Sequence, residues 1–216
     1  MANIIRQTTE LAMHIVRAYV GPGDVVVDAT CGNGKDTLAL AAMDPARLYA
    51  FDVQDEALQE TIRLLKENGF GERLTQSGKG SLADYRIVVE QLSHENLREF
   101  FENHLSIDGD KPDSPEVSGF IKVVVFNLGY LPGGDKTVTT KAGATLAAVE
   151  AAMDLLTADG LICITMYSGH PEGKEEKEVL LKFAEGLDST NWHCAYISMP
   201  NQKNDPPEIL LITRKK

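Results

Sequence analysis

The sequence predicts a doubly wound α/β fold in which helices cover both faces of a mostly parallel, seven-stranded sheet with an antiparallel C-terminal strand. Short apolar segments alternate with amphipathic helical ones along the chain, which is the order that a parallel sheet with helical crossovers requires. The final two strands have no room for a helix between them and are expected to pair antiparallel. With 216 residues, 43% of them hydrophobic, the chain is predicted to form one domain over 1–216.

The individual elements follow from apolar spacing and from turn residues. Helical spacing predicts helices over 3–20, 36–43, 55–68, 95–104, 142–156 and 175–187. Compact apolar runs predict strands over 24–29, 47–51, 86–91, 121–126, 161–167, 192–199 and 208–213. Gly21-Pro22-Gly23 ends the first helix and Asn68-Gly69 the third. Segments 71–84 and 105–119 are rich in Gly, Pro, Asp and Ser without a period, and both are predicted to be surface insertions.

Charge and composition exclude several classes of protein. With 21 basic and 32 acidic residues the net charge is −11, which argues against a broad basic surface for nucleic acid but leaves room for a local patch. Apolar runs such as 123–126 are far shorter than the roughly 18 residues of a membrane span. No basic-then-apolar leader opens the chain, so a cytoplasmic protein is expected. Cys31, Cys163 and Cys194 show no C-x-x-C spacing, and neither a disulfide nor a metal site is predicted.

The turn after the first predicted strand has the features of a nucleotide-binding loop. Asp28 ends that strand, and Gly32 and Gly34 flank Asn33 before the next helix begins. Glycines allow the backbone to turn tightly and approach a ligand, and ligands of doubly wound sheets bind at this end of the strands. Asp52 ends the next strand, where a carboxylate can accept hydrogen bonds from ribose hydroxyls.

The same loop distinguishes between cofactors. A dinucleotide loop has the pattern G-x-G-x-x-G, and Thr37 occupies the place of the third glycine. Asp28 is expected at the mouth of the loop, where it would repel a pyrophosphate and attract a cationic amine. The loop therefore favours S-adenosylmethionine over NAD as the cofactor.

The loop after the strand at 121–126 has the residues of a reacting centre. A methyl transfer requires a nucleophile whose lone pair is aligned with the S–CH₃ bond at about 3–3.5 Å. As in amino-methyltransferases, Asn127 is suited to orient a nucleophilic nitrogen through its carbonyl and Tyr130 to stack on the substrate. Asp135 is the nearest candidate to collect the released proton. The alternative is a structural turn in which Asn127 caps backbone and Tyr130 packs.

Six motifs occur together in one known family: Asp28–Thr37 (DATCGNGKDT), Phe51–Gln54 (FDVQ), Ser93–Asn96 (SHEN), Phe126–Lys136 (FNLGYLPGGDK), Tyr167–His170 (YSGH) and Asn201–Pro207 (NQKNDPP). Through them the chain resembles the tRNA 5-aminomethyl-2-thiouridine methyltransferase family, also described as rRNA methylases, over nearly its whole length. The resemblance implies the Rossmann-like class I methyltransferase fold. It also implies S-adenosylmethionine-dependent N-methylation of the aminomethyl group of the tRNA wobble uridine, with the anticodon region of tRNA as the partner.

The resemblance assigns roles to individual residues. It implies cofactor contacts at Asn33, Asp36, Asp52, Gln54, Ser93 and His94, and places Asn127, Tyr130 and Asp135 beside the transferred methyl group. It favours a substrate-facing role for Asn201, Gln202, Lys203 and Asn204, with Lys136 and His170 also on the substrate side. The candidate phosphate contacts are Lys136, Lys141, Lys203 and Arg6. The alternatives are a rigid connection between two strands at 201–207 and a turn histidine bonded to backbone at His170.

Other functions remain open at this point. One keeps the cofactor and replaces tRNA with ribosomal RNA or a small amine. Another is a cofactor-binding module without catalysis that works through a partner protein, although such a module does not need the loop from Asn127 to Lys136. The sequence also leaves a homodimer open.

Overall fold

A computed structural model describes residues 5–76, 86–105, 119–129 and 140–215, and of Leu105 the backbone alone. Within these ranges eight strands form one sheet: β1 (Val25–Asp28), β2 (Arg47–Asp52), β3 (Leu74–Gln76), β4 (Ile87–Gln91), β5 (Ile121–Asn127), β6 (Leu156–Met166), β7 (Trp192–Ile197) and β8 (Glu208–Arg214). Their order across the sheet is β3-β4-β2-β1-β5-β6-β8-β7. Strand β8 pairs antiparallel with β6 and β7, and the remaining neighbours pair parallel.

Helices connect the strands on both faces of the sheet, which confirms the predicted doubly wound architecture. They are α1 (Thr8–Arg17), α2 (Lys35–Ala41), α3 (Asp55–Glu67), α4 (Leu97–Leu105), α5 (Ala142–Leu155) and α6 (Pro171–Gly186). Helix α6 begins at Pro171 rather than at the predicted 175, because proline suits the first turn of a helix and His170 caps it. No helix in the described ranges is long and apolar enough to cross a membrane.

The sheet has one strand more than the sequence predicts. Part of the predicted surface insertion at 71–84 is ordered: Gly71–Arg73 form a 3₁₀ helix, and β3 pairs parallel with β4, with Leu74 opposite Ile87. Three residues are too few to show the alternation by which a strand is recognised in a sequence. Residues 77–84 of that segment, and residues 106–118 of the other predicted insertion, lie outside the described part of the chain.

The central strands are buried on both faces. In β1, Val26 belongs to one hydrophobic cluster and Val27 to the other, and in β5 Val123 and Val124 divide in the same way. Successive residues of a strand point to opposite faces, so both clusters require a helical layer. This explains why these strands are nearly continuous apolar runs rather than alternating ones.

The sheet topology determines where a ligand can bind. Strands β1, β2, β4, β5 and β6 are parallel, so their carboxyl ends lie at one edge of the sheet. The chain runs outward from β1 to β2 and β4 on one side, and to β5 and β6 on the other. Such a reversal of strand order opens a crevice at the carboxyl ends of the strands, which is the usual ligand site of this architecture.

Candidate active site

A cavity of about 850 Å³ lies at this edge, a volume typical of a small-molecule site. The loops that follow β1, β2, β4, β5 and β6 line it. Nine of the site residues singled out in the sequence are among its lining: Gly32, Asn33, Asp36, Asp52, Gln54, Ser93, His94, Asn127 and His170. The structure thus brings together residues from five separate segments of the chain.

Asp52 holds the loops after β1 and β2 together. Its Oδ2 accepts a hydrogen bond from the Gly32 N–H at 2.9 Å, and its Oδ1 accepts one from the Gln54 N–H at 3.0 Å. Burial raises the pKa of Asp52, and these backbone hydrogen bonds oppose that rise. Each carboxylate oxygen keeps a second lone pair, so Asp52 can still accept from a ligand in the cavity.

Gly34 has a packing role. It adopts a left-handed conformation with φ of 74°, and a Cβ atom there would lie 2.8 Å from the Thr61 Cα of α3. Thr61 in turn donates a hydrogen bond from its Oγ1 to the Gly32 carbonyl at 3.2 Å. Gly34 does not line the cavity. The structure thus shows close packing of the loop on α3 at this glycine, and its predicted cofactor contact stays a prediction.

Asp28 lies beneath the loop rather than at its mouth, and the predicted position is wrong. The residue is 0% exposed and does not line the cavity. Its Oδ2 accepts from the Thr37 hydroxyl at 2.6 Å and its Oδ1 from the Thr30 N–H at 3.2 Å. Burial first, and then the charge of Asp36, raise its pKa to about 7. Thr37, which stands where a dinucleotide loop has glycine, is therefore the hydrogen-bond partner of this buried acid.

Asn127 lies in the cavity wall and has one side-chain acceptor that is unpaired among the described residues. Its Nδ2 donates a hydrogen bond to Asp36 Oδ2, and its backbone N–H donates to Thr30 Oγ1 at 2.6 Å. A carboxylate only accepts, so the amide must turn its NH₂ group toward Asp36. Its Oδ1 is buried and has no hydrogen-bond partner in the described part of the chain. A buried acceptor without a partner is costly, and a ligand that donates to Oδ1 would remove that cost.

A second network, which the sequence did not reveal, surrounds Glu176 of α6. Glu176 is 2% exposed, and its Oε2 accepts from the Thr140 hydroxyl at 2.8 Å while its Oε1 accepts from the Thr145 hydroxyl. Thr140 Oγ1 accepts from the Gly129 N–H at 2.9 Å, and Thr145 Oγ1 lies 3.4 Å from His94 Nε2. Burial raises the pKa of Glu176 and lowers that of His94.

A feature of the sequence could have revealed Glu176. The buried residues of α6 are Gly173, Glu176, Leu180 and Ala184, which follow the spacing of one helix face. An acid at an inward position of an amphipathic helix requires a buried partner.

His170 is both a helix cap and part of the cavity wall. The Gly173 N–H donates to His170 Nδ1 at 3.1 Å, as the alternative of a turn histidine bonded to backbone predicts. A Cβ at Gly173 would overlap the Tyr167 carbonyl oxygen, so glycine is required for α6 to approach this turn. Tyr167 also lines the cavity and is 36% exposed.

The segment at 201–207 lies mostly outside the cavity lining, and its predicted substrate-facing role stays a prediction. Asn201, Gln202, Lys203 and Asn204 are exposed and do not line the cavity. The neighbouring Asp205 does line it. Asn204 and Asp205 have positive φ angles of 68° and 46°, which fits the alternative of a tight connection between β7 and β8. Tyr130, Asp135 and Lys136 lie outside the described residues.

Comparison with known proteins identifies relatives along nearly the whole chain. A family model described as "Putative rRNA methylase" matches residues 48–213. Over 217 aligned residues the chain is 33% identical to the chloroplastic tRNA (mnm(5)s(2)U34)-methyltransferase of Arabidopsis thaliana, an alignment that covers 97% of this chain and 70% of that protein.

Two solved structures agree with this assignment. A "putative rRNA-methylase" from Clostridium thermocellum superposes with a TM-score of 0.76 at 32% identity, covering 97% of this chain and 98% of that one. A "putative methyltransferase" from Streptococcus mutans in complex with SAH superposes with a TM-score of 0.75 at 26% identity, covering 97% and 99%. The fold, the family resemblance and the enzyme class predicted from the sequence are confirmed. The chain belongs to the rRNA methylase family and is a methyltransferase of the class I fold.

Proposed function

We propose that this enzyme uses S-adenosylmethionine to methylate the aminomethyl nitrogen of 5-aminomethyl-2-thiouridine, or of its 2-oxo counterpart, at the wobble position of tRNA. The observation that carries the proposal is the Asn127 side chain, whose buried Oδ1 has no partner in the described residues while Asp36 holds its Nδ2. An amine is the nucleophile that such an acceptor suits, because the carbonyl can take one N–H and leave the nitrogen lone pair free. The Arabidopsis relative, named for this kind of tRNA nucleoside, supports the choice.

The loops after β1 and β2 fit a nucleoside cofactor. Gly32 has a positive φ of 49°, and its turn places Asp52 in the cavity wall with lone pairs left for two ribose hydroxyls. Cofactor contacts are proposed at Gly32, Asn33, Asp36, Asp52, Gln54, Ser93 and His94, all of which line the cavity. When bound, S-adenosylmethionine supplies an electrophilic methyl group, so the protein has mainly to bind and orient the reactants. The complex of the Streptococcus mutans relative with SAH supports this cofactor.

The charges around the cavity favour cationic ligands. Its described lining contains four carboxylates and two lysines: Asp36, Asp52, Glu95, Asp205, Lys35 and Lys141. An excess of carboxylates attracts a sulfonium and an ammonium and repels a pyrophosphate. The same environment therefore suits the sulfonium and the ammonium group of this cofactor, and argues against a dinucleotide.

The amine must be neutral when it reacts, because an ammonium has no lone pair. Lysine has a reference pKa of about 10.4, and an aminomethyl group on a pyrimidine should be less basic. Asn127 Oδ1 would hold the neutral amine by accepting one N–H, and Asp36 would keep the amide from rotating. Tyr130 is proposed to stack on the base and Asp135 to receive the released proton.

RNA binding is proposed to use few phosphate contacts. Arg6, Lys141 and Lys203 are exposed, and Lys141 lies in the cavity wall. Together with Lys136 they are the proposed phosphate contacts on a protein whose net charge is −11. We expect a shallow dependence of tRNA affinity on salt, equivalent to roughly three to four ions.

The test is methyl transfer in vitro with the nucleoside product identified by mass spectrometry. The substrate is tRNA from cells that stop at the aminomethyl stage, with labelled S-adenosylmethionine as the donor. The same tRNA after acetylation of its amine is the matched control, because an amide nitrogen has no available lone pair. Label on the aminomethyl uridine that is lost on acetylation is the expected result.

Two further arms separate the alternatives. Ribosomal RNA tests the substrate that the family description names, and a free aminomethyl pyrimidine tests a small amine. Transfer to either of these, with none to tRNA, would overturn the proposed substrate. Absence of transfer in every arm would overturn the proposed function.

A further inference from the structure

We infer that Glu176 is a positioning residue for the methyl transfer: its carboxylate fixes the direction of two hydrogen-bond chains that end at two different residues of the cavity wall, Gly129 and His94. The inference rests on the proposed function, because it concerns the rate of that reaction. Glu176 itself does not line the cavity. It can therefore act only through the residues that it holds.

The first chain leads to the end of β5. Thr140 and Gly129 bond to each other in both directions: the Gly129 N–H donates to Thr140 Oγ1 at 2.9 Å, and the Thr140 N–H donates to the Gly129 carbonyl at 3.2 Å. Because Thr140 Oγ1 accepts from Gly129, its own proton is left for Glu176 Oε2 at 2.8 Å. Gly129 lies two residues after Asn127, so this chain supports the backbone next to the proposed acceptor.

The second chain leads to the wall formed after β4. The Thr145 hydroxyl donates its proton to Glu176 Oε1. Toward His94 Nε2, 3.4 Å away, Thr145 Oγ1 can then only accept, which requires the tautomer of His94 that carries its proton on Nε2. His94 is buried and lines the cavity. Glu176 thus selects the tautomer of a residue in the cavity wall from a helix outside it.

In both chains a threonine hydroxyl donates its proton to Glu176, and only a carboxylate can accept through both of its oxygens. A glutamine has the same shape, but its NH₂ group cannot accept from a hydroxyl, so one chain has to reverse. If the Thr145 chain reverses, the Thr145 hydroxyl must donate to His94 and the histidine must change tautomer. If the Thr140 chain reverses, the Gly129 N–H competes with the amide for Thr140 Oγ1. A residue that served folding alone would not need a charge at this position, because a buried apolar side chain fills such a position without desolvating a charge. Glutamate and glutamine should then differ little in their effect on the reaction rate.

The test compares Glu176→Gln with Glu175→Gln, which makes the same change at the exposed neighbour on the same helix. Single-turnover rate and tRNA affinity are measured with the aminomethyl tRNA, SAH affinity by calorimetry, and the His94 tautomer by ¹⁵N NMR of the free protein. For Glu176→Gln we expect the rate to fall by about tenfold or more. SAH affinity should change by less than about threefold, and the tautomer populations of His94 should shift. Glu175→Gln should match the wild type in all four measurements.

A second pair of variants covers the case in which Glu176→Gln does not fold. Thr140→Val removes the hydroxyl at constant shape, and Thr140→Ser restores it. The inference requires the valine variant to be slow and the serine variant to recover most of the rate.

The outcomes separate this inference from the proposed function. Wild-type rate and unchanged His94 tautomer in a folded Glu176→Gln protein would overturn the inference, as would equal rates in Thr140→Val and Thr140→Ser. A wild-type enzyme that does not methylate the aminomethyl tRNA would overturn the proposed function, and the inference with it.

Discussion

The two sides of the cavity are held in place by different kinds of contact. On the glycine-loop side, residues 29–36 and 52–54, backbone N–H groups donate to the Asp52 carboxylate. On the Asn127 side, residues 127–129, 140–145 and 167–170, side chains from distant parts of the sequence bond to one another. On this side Glu176 accepts from Thr145 and Thr140, 31 and 36 positions away, and Asn127 donates across the cavity wall to Asp36 of the glycine-loop side, 91 positions away.

We expect this difference to separate cofactor binding from methyl transfer. Backbone donors have one direction and keep the glycine-loop side in one geometry, which suits a site that must bind the same cofactor in each turnover. Side-chain amides, hydroxyls and imidazoles have alternative orientations, so the Asn127 side depends on carboxylates to choose among them. Changes on the first side should therefore alter cofactor affinity, and changes on the second should alter the rate at nearly constant affinity.

The largest effect is expected from Asn127→Ala. The variant removes the acceptor that is proposed to hold the amine, and misplacement of a reacting group by about 1 Å can cost about 100-fold in rate. SAH is proposed to bind on the other side of the cavity and should keep its affinity, measured by calorimetry. Asn68→Ala, the same change at an exposed helix end, serves as the control. A wild-type single-turnover rate in Asn127→Ala would show that the end of β5 is not the reacting centre.

Asp52→Ala should have the opposite signature. It leaves the Gly32 and Gln54 N–H groups without their carboxylate and removes the proposed ribose acceptor. Hydrogen bonds to a charged group contribute roughly 1.5–3 kcal/mol, so the dissociation constant of SAH should rise by roughly 10- to 100-fold. Asp55→Ala, an exposed acid in the first turn of α3, controls for the loss of charge. Tight binding of NADH together with no binding of SAH would contradict the cofactor assignment.

Gly34→Ala tests whether the glycine-loop side is fixed by backbone geometry. The residue has a φ of 74°, and a Cβ would lie 2.8 Å from the Thr61 Cα. Backbone strain and overpacking together should lower the free energy of unfolding by about 2 kcal/mol. Gly23→Ala is the matched control, because a Cβ there would have nothing within 4 Å of it and the φ of Gly23 is not positive. Equal urea midpoints for the two variants would show that this turn adapts easily.

The two sides also differ in how far the sequence reveals them. Gly32, Asn33 and Asp52 could be predicted because a strand, a turn and a helix follow one another in the chain, and the topology of the fold brings the next strand beside them. The position of Asp28 could not, because its burial depends on the hydroxyl of Thr37 in the helix that follows the loop. Sequence patterns show which side chains are adjacent in the chain but not which one covers another.

The hydrogen-bond partners of Glu176 were still harder to predict from the sequence than those of Asp28. Its two partners, Thr140 and Thr145, come from a segment more than 30 positions earlier. In the sequence it stands in the charged run Lys174–Glu178, where one inward-facing acid resembles its exposed neighbours. The helical spacing of the buried residues of α6 marks Glu176 as inward-facing, but only the packing of α6 on α5 shows which partners it has.

Asp28→Asn tests the buried support beneath the glycine-loop side through the pH dependence of stability. Burial raises the pKa of Asp28 to about 7 in the folded protein, against 3.8 for an aspartate side chain in the unfolded chain. Between these values the folded state binds more protons at Asp28 than the unfolded state does, so this group lowers the free energy of unfolding as pH rises from about 4 to about 7.

An asparagine has no charge to bury: its carbonyl can accept from the Thr30 N–H, and its NH₂ can donate to Thr37 Oγ1. Urea unfolding at a series of pH values should show that Asp28→Asn loses less stability with rising pH than the wild type does. The free energy of unfolding of the variant, relative to that of the wild type, should therefore increase toward pH 7. Asp55→Asn removes the same charge from an exposed helix and controls for net charge. Parallel pH profiles for Asp28→Asn and the wild type would mean that Asp28 is already ionised in the folded protein, and that Thr37 and the Thr30 N–H stabilise its charge fully.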